Sequence, residues 1–271
     1  MTTQAAAQTT EHNDETLFEA NTRDVVDLKR LIKTIDALVD EVPVSVGQDG
    51  VRFRTADRAM ISLIDVVLKP AFFGGYEYNR QKPNLFLVDV GALKDRVSEA
   101  KKGDRLKLII REATGAATPV IDVKVWSDGI TSTFTLPTSE ADEVDVPSTE
   151  DLEFSGSALV AVPMFRAAIQ KMGESTQFTL REDRFVMASD VDNQVARVRF
   201  PDGSDHLHAV RLSEGPVCSM YSTEYLEIVK GLKHTVQRLR LQFGTDHPLK
   251  LGTSNDRFEL SFVLAPRIEE E

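Results

Sequence analysis

The sequence has almost no cysteine, no long apolar run and no excess of positive charge, and these shortages narrow the class of protein. Its single cysteine, Cys218, cannot form an internal disulfide, which fits a reducing cytoplasm. No apolar run reaches the roughly 18 residues of a membrane span, so we expect no membrane partner. The opening residues MTTQAAAQTTEHNDE lack the basic start and apolar stretch of a secretory signal. The sequence therefore predicts a non-secreted, cytoplasmic protein whose residues 1–16 form a disordered polar tail.

Patterns for catalysis and metal binding are also missing. Gly74 and Gly75 have neither the spacing of a phosphate-binding loop nor that of a dinucleotide-binding loop. Cys218 has no histidine near it in sequence, which favours a small buried apolar residue over a nucleophile. His206 and His208 have no companions at metal-ligand spacing, which favours a surface pair. We therefore expect no catalytic residue, no metal, no cofactor and no enzymatic activity.

The sequence does contain one order of elements twice. A helix, a hairpin, two strands, a short helix and three strands in the first half are matched by helix, hairpin, strand, helix and three strands in the second. The hairpins align Val51 with Phe185, and a later strand aligns Leu106 with Leu239. This pattern predicts an α+β fold of two similar domains, residues 17–137 and 154–271.

An acidic connector, residues 138–153, lies between the two halves. Its sequence TSEADEVDVPSTEDLE is rich in Asp, Glu, Ser and Thr, which is typical of a linker. Val144 and Val146 alternate with acidic residues, so they project in the same direction if the segment is extended. That alternation is unusual for an inert linker.

The distribution of charge matters more than its total. The formal net charge of −11, from 32 basic and 43 acidic residues, argues against a nucleic-acid partner if the charge is evenly spread. However, the N-terminal tail, the connector and the C-terminus hold a large share of the acids, while the predicted helices carry basic residues. Taken helix by helix, these are ordinary solvated faces. Taken with the repeat, they indicate helices that line one common surface.

Five stretches resemble the PCNA family of DNA sliding clamps, and its archaeal branch most of all. They are LFEA (17–20), DGVRFRTADRAMISLIDV (49–66), VDVP (144–147), YLEIVKGLK (225–233) and LAPRIEEE (264–271). The resemblance covers residues 17–271, and the last stretch is its most specific part.

This resemblance implies the fold and the partners. Family members are two-domain subunits of the DNA-clamp fold, with helices lining one face of antiparallel sheets, and three subunits close into a pseudo-six-fold ring around duplex DNA. The implied function is that of a DNA polymerase sliding clamp, a processivity factor that binds DNA without regard to sequence. The implied partners are further copies in a homotrimer, and DNA polymerase, clamp loader, ligase and nuclease through short peptides. The implied location is the nucleoid.

The resemblance also implies a DNA-facing set on the helices. Its members are Lys29, Arg30, Lys33, Lys94, Arg96, Lys101, Arg166, Lys171, Lys230 and Lys233. Asp36 departs from the family, because a basic residue is frequent there, so the first helix is expected to be a weaker DNA contact.

A docking pocket for partner peptides is implied beneath the connector. Its residues would be Ala56, Met60, Ile61, Val144, Val146, Pro147, Pro248, Val263, Leu264, Ala265, Pro266 and Arg267. Val144 and Val146 are smaller than the family's usual residues, and Val263 stands where an aromatic residue is frequent, so we expect a roomier pocket. Arg267 is expected to be available to a partner's backbone or carboxylate.

The implied subunit contact pairs two strands. The strand at residues 130–136 of one subunit would pair with the strand at residues 184–190 of the next. The residues expected there are Ile130, Phe134, Leu136, Phe185 and Met187.

Two other interpretations stay open. The chain could be a specialised subunit of a heterotrimeric clamp, as some archaea build from paralogues. It could instead be a β-rich ligand-binding protein or enzyme whose repeat is coincidental.

Overall fold

The computed structural model describes residues 15–22, 24–82, 84–141, 147–149, 151–192, 194–232 and 235–268. The first half comprises β1 (Thr16–Thr22), α1 (Val25–Asp36), β2 (Glu41–Gly47), β3 (Gly50–Ala56), β4 (Ser62–Leu68), β5 (Gly75–Tyr78), β6 (Asn84–Asp89), α2 (Val90–Ser98), β7 (Arg105–Arg111), β8 (Val120–Ser127) and β9 (Ile130–Pro137). The second half comprises β10 (Gly156–Ala161), α3 (Val162–Ile169), β11 (Ser175–Arg181), β12 (Arg184–Val191), β13 (Gln194–Pro201), β14 (Leu207–Leu212), β15 (Val217–Ser222), α4 (Thr223–Leu226), β16 (Arg238–Phe243), β17 (Leu249–Ser254) and β18 (Phe258–Leu264). Short 3₁₀ helices occupy Pro70–Phe72 and Glu227–Leu232, and the latter is called the 3₁₀ segment.

The two halves repeat one order of strands and helices, as the sequence predicts. The α+β class is confirmed, and both predicted hairpins, β2–β3 and β11–β12, are present. Four strands, β1, β5, β10 and β14, were not predicted. Most of the predicted tail lies outside the described residues, but Thr16 at its end already begins β1.

The last predicted helix, residues 222–234, is wrong in part. Only Thr223–Leu226 is α-helical, and the chain continues as the 3₁₀ segment. The β-branched Ile228 and Val229, followed by Gly231, are weak α-helix formers. A 3₁₀ turn also narrows the backbone where Gly231 meets α1.

All strands pair antiparallel in three sheets. The first outer sheet has the order β5-β1-β7-β8-β9, and the second outer sheet has the order β13-β12-β11-β15. The central sheet has the order β14-β10-β16-β17-β18-β4-β3-β2-β6 and so contains strands of both halves. Its two parts join where β18 pairs with β4, from Phe258 opposite Leu68 to Leu264 opposite Ser62.

One face of the central sheet is buried, and the other is exposed and polar. Strand alternation places residues such as Phe53, Val66 and Phe262 in the core, while Arg52, Asp65 and Ser261 lie on the opposite, outer face. The outer face of this sheet is therefore open to other molecules.

The helical segments lie side by side on the buried side. The predicted apolar face of α1 is confirmed, since Val25, Leu28 and Leu31 are buried, and Asp24 caps its start. α1 packs against α2 and the 3₁₀ segment, and α3 packs against the 3₁₀ segment as well. Together these segments form one continuous helix layer. Within the residues that the structure describes, no helix is long and apolar enough to cross a membrane.

Candidate functional site

Two of the predicted DNA-facing lysines are engaged between helices. Lys29 Nζ on α1 donates to the carbonyl oxygen of Ser98 at 2.9 Å and to that of Ala100, at the C-terminal end of α2. A lysine there complements the negative end of the helix dipole. Lys94 Nζ on α2 donates to both carboxylate oxygens of Asp36, at 3.1 and 2.9 Å. These contacts align α1 with α2, and the Asp36 carboxylate raises the pKa of Lys94 above its ordinary value.

Three more members of the set have partners within the protein. The Arg96 guanidinium lies 4.9 Å from the ring centroid of Phe134 on β9. Arg30 is 3.6 Å from the carboxylate of Asp27, one turn away on α1. Lys230 forms an ion pair with Glu227 within the 3₁₀ segment. Because these pairs are partly exposed, they weaken the local positive potential without removing it.

Three of the remaining cations of the predicted set are more open. Lys33 and Lys171 are exposed and have no ion-pair partner among the residues described. Lys101 is 76% exposed at its side chain and lies 4.0 Å from Asp128, which is a weak contact. The Nε of Arg166 is buried with no hydrogen-bond partner in the described part of the chain. Lys233 lies outside the described residues.

The helix layer also contains a close backbone approach. A Cβ at Gly231 would lie 2.3 Å from Thr34 Oγ1, so only glycine lets the 3₁₀ segment approach α1 this closely. Arg30, Lys33 and Lys230 line a groove of about 640 Å³ beside this contact. The contact therefore fixes the spacing of cations that come from both halves.

The structure brings several residues of the predicted docking pocket together on the outer face. Met60 and Ile61 are 54% and 39% exposed in the turn between β3 and β4. The Ala265 backbone N–H donates to the Ile61 carbonyl oxygen at 2.8 Å, which brings the C-terminal segment to this turn. Pairing between strands places Val263 opposite Leu63. The exposed Met60 and Ile61 therefore adjoin the segment after β18.

Neighbouring strands continue the row of side chains. Ala56 pairs with Leu63, and Val263 pairs with Lys250 on its other side. Leu63 lies in the same row but is buried, and it was not predicted there, although its place in the alternation of β4 could have identified it. Pro147 of the connector accepts a hydrogen bond from Arg54 at 2.9 Å, so the connector crosses this face. Val144 and Val146 lie outside the described residues.

Some predicted pocket residues have other surroundings. Leu264 is fully buried and belongs to the core, while Pro248 and Pro266 are half-buried. Arg267, which was predicted to be available to a partner, is exposed and also has contacts within the chain. Its backbone N–H donates to the Met220 carbonyl oxygen at 2.8 Å, and its guanidinium donates to Ser175 Oγ at 2.6 Å. Arg267 therefore anchors the C-terminal segment to the second half.

The structure contradicts one of the two strands predicted for the subunit contact, and it places the other, β9, at the edge of its sheet. β12 pairs with β11 on one side and β13 on the other, so it has no free edge. Phe185 and Met187 on β12 are fully buried core residues. The strand that lies at the edge of the second outer sheet is β13.

The two edge strands β9 and β13 are alike. Each has eight residues, ends in proline and has the same sequence of exposed and buried positions. Ile130 on β9 and Val195 on β13 are 68% and 63% exposed. Phe134 is half-buried and Leu136 is buried beneath β9. Both strands present unpaired backbone groups, which makes each a template for another strand.

A buried carboxylate supports β9 from the neighbouring strand. Asp122 on β8 accepts hydrogen bonds from Arg111 Nε at 2.9 Å and from Thr135 Oγ1 of β9 at 2.6 Å. Burial acts to raise the pKa of Asp122, but the bonds from Arg111 and Thr135 outweigh it and hold the pKa below its ordinary value. The ionised carboxylate therefore ties β9 to the rest of its sheet.

Comparison with known proteins gives consistent matches. Residues 17–129 match the family model described as "Proliferating cell nuclear antigen, N-terminal domain". The DNA polymerase sliding clamp of Pyrococcus furiosus is 27% identical over 258 residues, which are 93% of this chain and 99% of that protein. The DNA polymerase sliding clamp of Methanothermobacter thermautotrophicus is 28% identical over 261 residues, 94% and 100% of the two chains.

Solved structures share the fold. The crystal structure of PCNA from Thermococcus kodakaraensis matches with a TM-score of 0.80 at 22% identity, over 92% of this chain and all of that one. The PCNA2–PCNA3 complex from Sulfolobus tokodaii matches with a TM-score of 0.78 at 22% identity, over 93% of this chain and all of the matched chain. These matches confirm the predicted clamp fold of the single chain.

Proposed function

The chain belongs to the PCNA family of DNA polymerase sliding clamps, and from this membership we propose that three copies close head to tail into a ring around duplex DNA. Each copy would supply two domains, residues 17–137 and 154–271, which gives the ring its pseudo-six-fold symmetry. The ring raises the local concentration of a polymerase at the DNA and so acts as a processivity factor. The expectation that the chain is not an enzyme is confirmed, because this family tethers enzymes and has no catalytic activity.

The observation that best supports the ring is the likeness of β9 and β13. Two edge strands of equal length and equal burial pattern lie in different sheets of one chain. Pairing β9 of one copy with β13 of the next covers both edges and leaves the same two edges at the ends of any open chain of copies. In such a head-to-tail contact, two different surfaces of the chain meet. The copies close into a ring when a whole number of rotations from one copy to the next makes a full turn.

The helix layer is the proposed DNA-facing surface. Lys33, Lys101 and Lys171 are its most open cations, and none of them belongs to a base-reading motif. Contacts from such cations to phosphates carry no sequence information and weaken with salt. The proposed binding is therefore independent of sequence, and it would locate the protein at the nucleoid.

The outer row around Met60, Ile61 and Val263 is the proposed docking site for partner peptides. Met60 and Ile61 expose apolar side chains in this row, while Val263 is buried beside them. The connector and the C-terminal segment lie next to the row, as a peptide groove requires. The partners proposed for it are DNA polymerase, the clamp loader, ligase and nuclease.

A second assembly is favoured by one comparison. One matched structure is a complex of PCNA2 with PCNA3, so chains of this fold also form mixed assemblies. In that case β9 of this chain would pair with a paralogous chain. The homotrimer is the first proposal because it needs no second kind of chain.

Topological linkage tests the function directly. Linear duplex with free ends is incubated with the chain, and both ends are then blocked with streptavidin. We expect protein that resists a high-salt wash and leaves the DNA after an internal restriction cut. Release by salt while both ends are blocked would contradict encirclement.

A further inference from the structure

The outer face of the central sheet carries a basic depression beside the outer row around Met60, Ile61 and Val263, which is called the docking row. Its volume is about 570 Å³. Its basic residues are Arg52, Arg238, Arg240 and Lys250, and its acidic residues are Asp65 and Glu259. This local excess of positive charge is notable in a chain whose formal net charge is −11.

The two acids of the depression already have partners. Asp65 accepts from Arg52 Nε at 2.9 Å, and Glu259 lies 2.6 Å from Lys69 Nζ. A hydrogen bond from Lys69 and, to a lesser degree, one from Ser254 hold the pKa of Glu259 below its ordinary value. This carboxylate therefore stays ionised and paired.

Three cations of the depression are left over. Arg238, Arg240 and Lys250 have no ion-pair partner in the part of the chain that the structure describes. Arg238 and Arg240 are exposed, and Lys250 is half-buried. These three residues are called the basic patch.

A glycine lies at the centre of the depression. Gly252 is opposite Arg240 on one side and opposite Ser261 on the other, and it has no side chain to fill the space between them. Ser261 Oγ is buried there without a hydrogen-bond partner among the described residues. The floor therefore offers a hydroxyl, and the rim offers three cations, which suits carboxylates.

The basic patch is continuous with the docking row. Lys250 stands directly opposite Val263. On the next strand, β16, Gln242 pairs with Lys250, and Arg240 is two residues away from Gln242. Strand spacing therefore places Arg240 about 12 Å from Val263. Arg238 is about 17 Å away by the same geometry. An extended peptide covers that distance in about five residues.

We propose that the basic patch binds acidic residues that flank the apolar anchor of this chain's partner peptides. The inference rests on the proposed docking row and adds the chemistry of the segment next to it. A peptide is favoured over DNA phosphates because the patch adjoins the apolar row and lies on the sheet face away from the helix layer. The acidic flank would distinguish this chain's partners from peptides that have only the apolar anchor.

Three labelled peptides test the proposal by fluorescence anisotropy on the full chain. Each contains an anchor of one glutamine, one aliphatic and two aromatic residues, the peptide composition that the resemblance to the clamp family implies. Four Glu, four Gln or four Lys flank the anchor on both sides. At low salt we expect the Glu-flanked peptide to bind about 5- to 20-fold more tightly than the Gln-flanked peptide. The Lys-flanked peptide should bind more weakly than both, and high salt should remove most of the difference.

Charge-reversal variants locate the effect. The double variant Arg240→Glu/Lys250→Glu should remove the advantage of the Glu-flanked peptide and leave the Gln-flanked peptide unchanged. Lys82→Glu/Arg211→Glu is the matched control, because it reverses two exposed cations outside the depression, and it should preserve most of the advantage. Ile61→Asp should weaken binding of all three peptides.

The outcomes separate this inference from the docking proposal. If none of the peptides binds, the docking row is wrong. If the Gln-flanked peptide binds and the Glu-flanked peptide binds no better, the docking row stands and the basic patch has no such role. If the double variant instead weakens binding of blunt duplex DNA and leaves the peptides unchanged, the patch is a nucleic-acid contact and our inference is overturned.

Discussion

Lys94 and Asp36 form an ion pair across the helix layer, with Nζ 2.9 and 3.1 Å from the two carboxylate oxygens. Asp36 stands where the resemblance to the family implies a frequent basic residue, and its partner Lys94 belongs to the predicted DNA-facing set. The pair aligns α1 with α2, together with the contact of Lys29 at the end of α2. We therefore expect DNA contact to depend more on the open cations than on Lys94.

Replacing Lys94 should affect stability more than DNA binding, and replacing Lys171 should affect DNA binding more than stability. Lys94→Gln should lower the free energy of unfolding only slightly, since the pair is solvent-screened, and should change DNA affinity little. Lys171→Gln should leave stability unchanged, weaken DNA binding and reduce the slope of log affinity against log salt. Urea melts and DNA titrations at several salt concentrations measure both. A larger loss of DNA affinity for Lys94→Gln than for Lys171→Gln would show that our assignment is reversed.

Adding one methyl group at Gly231 should disturb the contact between the two halves. Gly231→Ala places a Cβ about 2.3 Å from Thr34 Oγ1 and should cost about 1–3 kcal/mol of stability. Thr34→Ala removes that oxygen, so the double variant should be more stable than the sum of the two single changes predicts. Gly74→Ala is the control, since its nearest heavy atom lies 3.7 Å away. Thermal melts with additive losses at Gly231 and Thr34 would rule out this contact as the cause.

Asp122 should make the edge strand β9 sensitive to acid. Its folded-state pKa is lowered, so its contribution to stability is present above the ordinary aspartate pKa of about 3.9 and is lost as pH falls through the folded-state pKa. Asp122→Asn should therefore cost about 1–3 kcal/mol at neutral pH, and the difference from wild type should shrink below about pH 4.

The control for Asp122 is Glu112→Gln, which removes a carboxylate from an exposed pair with Arg80. That change should cost less than about 0.5 kcal/mol at any pH. Urea melts across the pH range measure both variants. A stability difference for Asp122→Asn that stays constant down to pH 2 would refute the assigned role of the charge.

A charged substitution should disrupt assembly on the edge strands β9 and β13 but not on the edge strand β6. Val195→Asp and Ile130→Asp each place a carboxylate on a proposed contact strand and should convert the assembly into folded monomers. Leu85→Asp is a matched control, because Leu85 is an exposed apolar residue on β6, the edge of the central sheet. Sedimentation should show the Leu85 variant with the wild-type mass. Equal behaviour of all three variants would remove the special role of β9 and β13.

Much of the fold can be predicted from period alone. The regular apolar spacing of α1 and the alternation in both hairpins identified these elements and their buried faces. The short strand β5, with only the residues GYEY, carries too few alternations to stand out. The 3₁₀ segment depends on the contact between Gly231 and Thr34. These two residues are far apart in sequence, so their contact is visible only in the folded chain.

The candidate surfaces are less predictable because they depend on pairing partners. A strand pattern does not say which strand stays unpaired, and this is why β12 was expected at the edge that β13 occupies. Lysines of the predicted DNA-facing set also differ in their contacts, because Lys29 binds the end of α2 while Lys171 is exposed. The basic patch brings β16 and β17 beside Val263, and only the register of the central sheet reveals it.

The central claim is a closed ring of three identical copies, and native mass spectrometry of the purified chain at two concentrations tests it most directly. We predict a species of three times the chain mass at both concentrations, and monomer alone for Val195→Asp. A wild-type chain that remains monomeric at the higher concentration would contradict the homotrimer and leave pairing with a paralogous chain as the alternative.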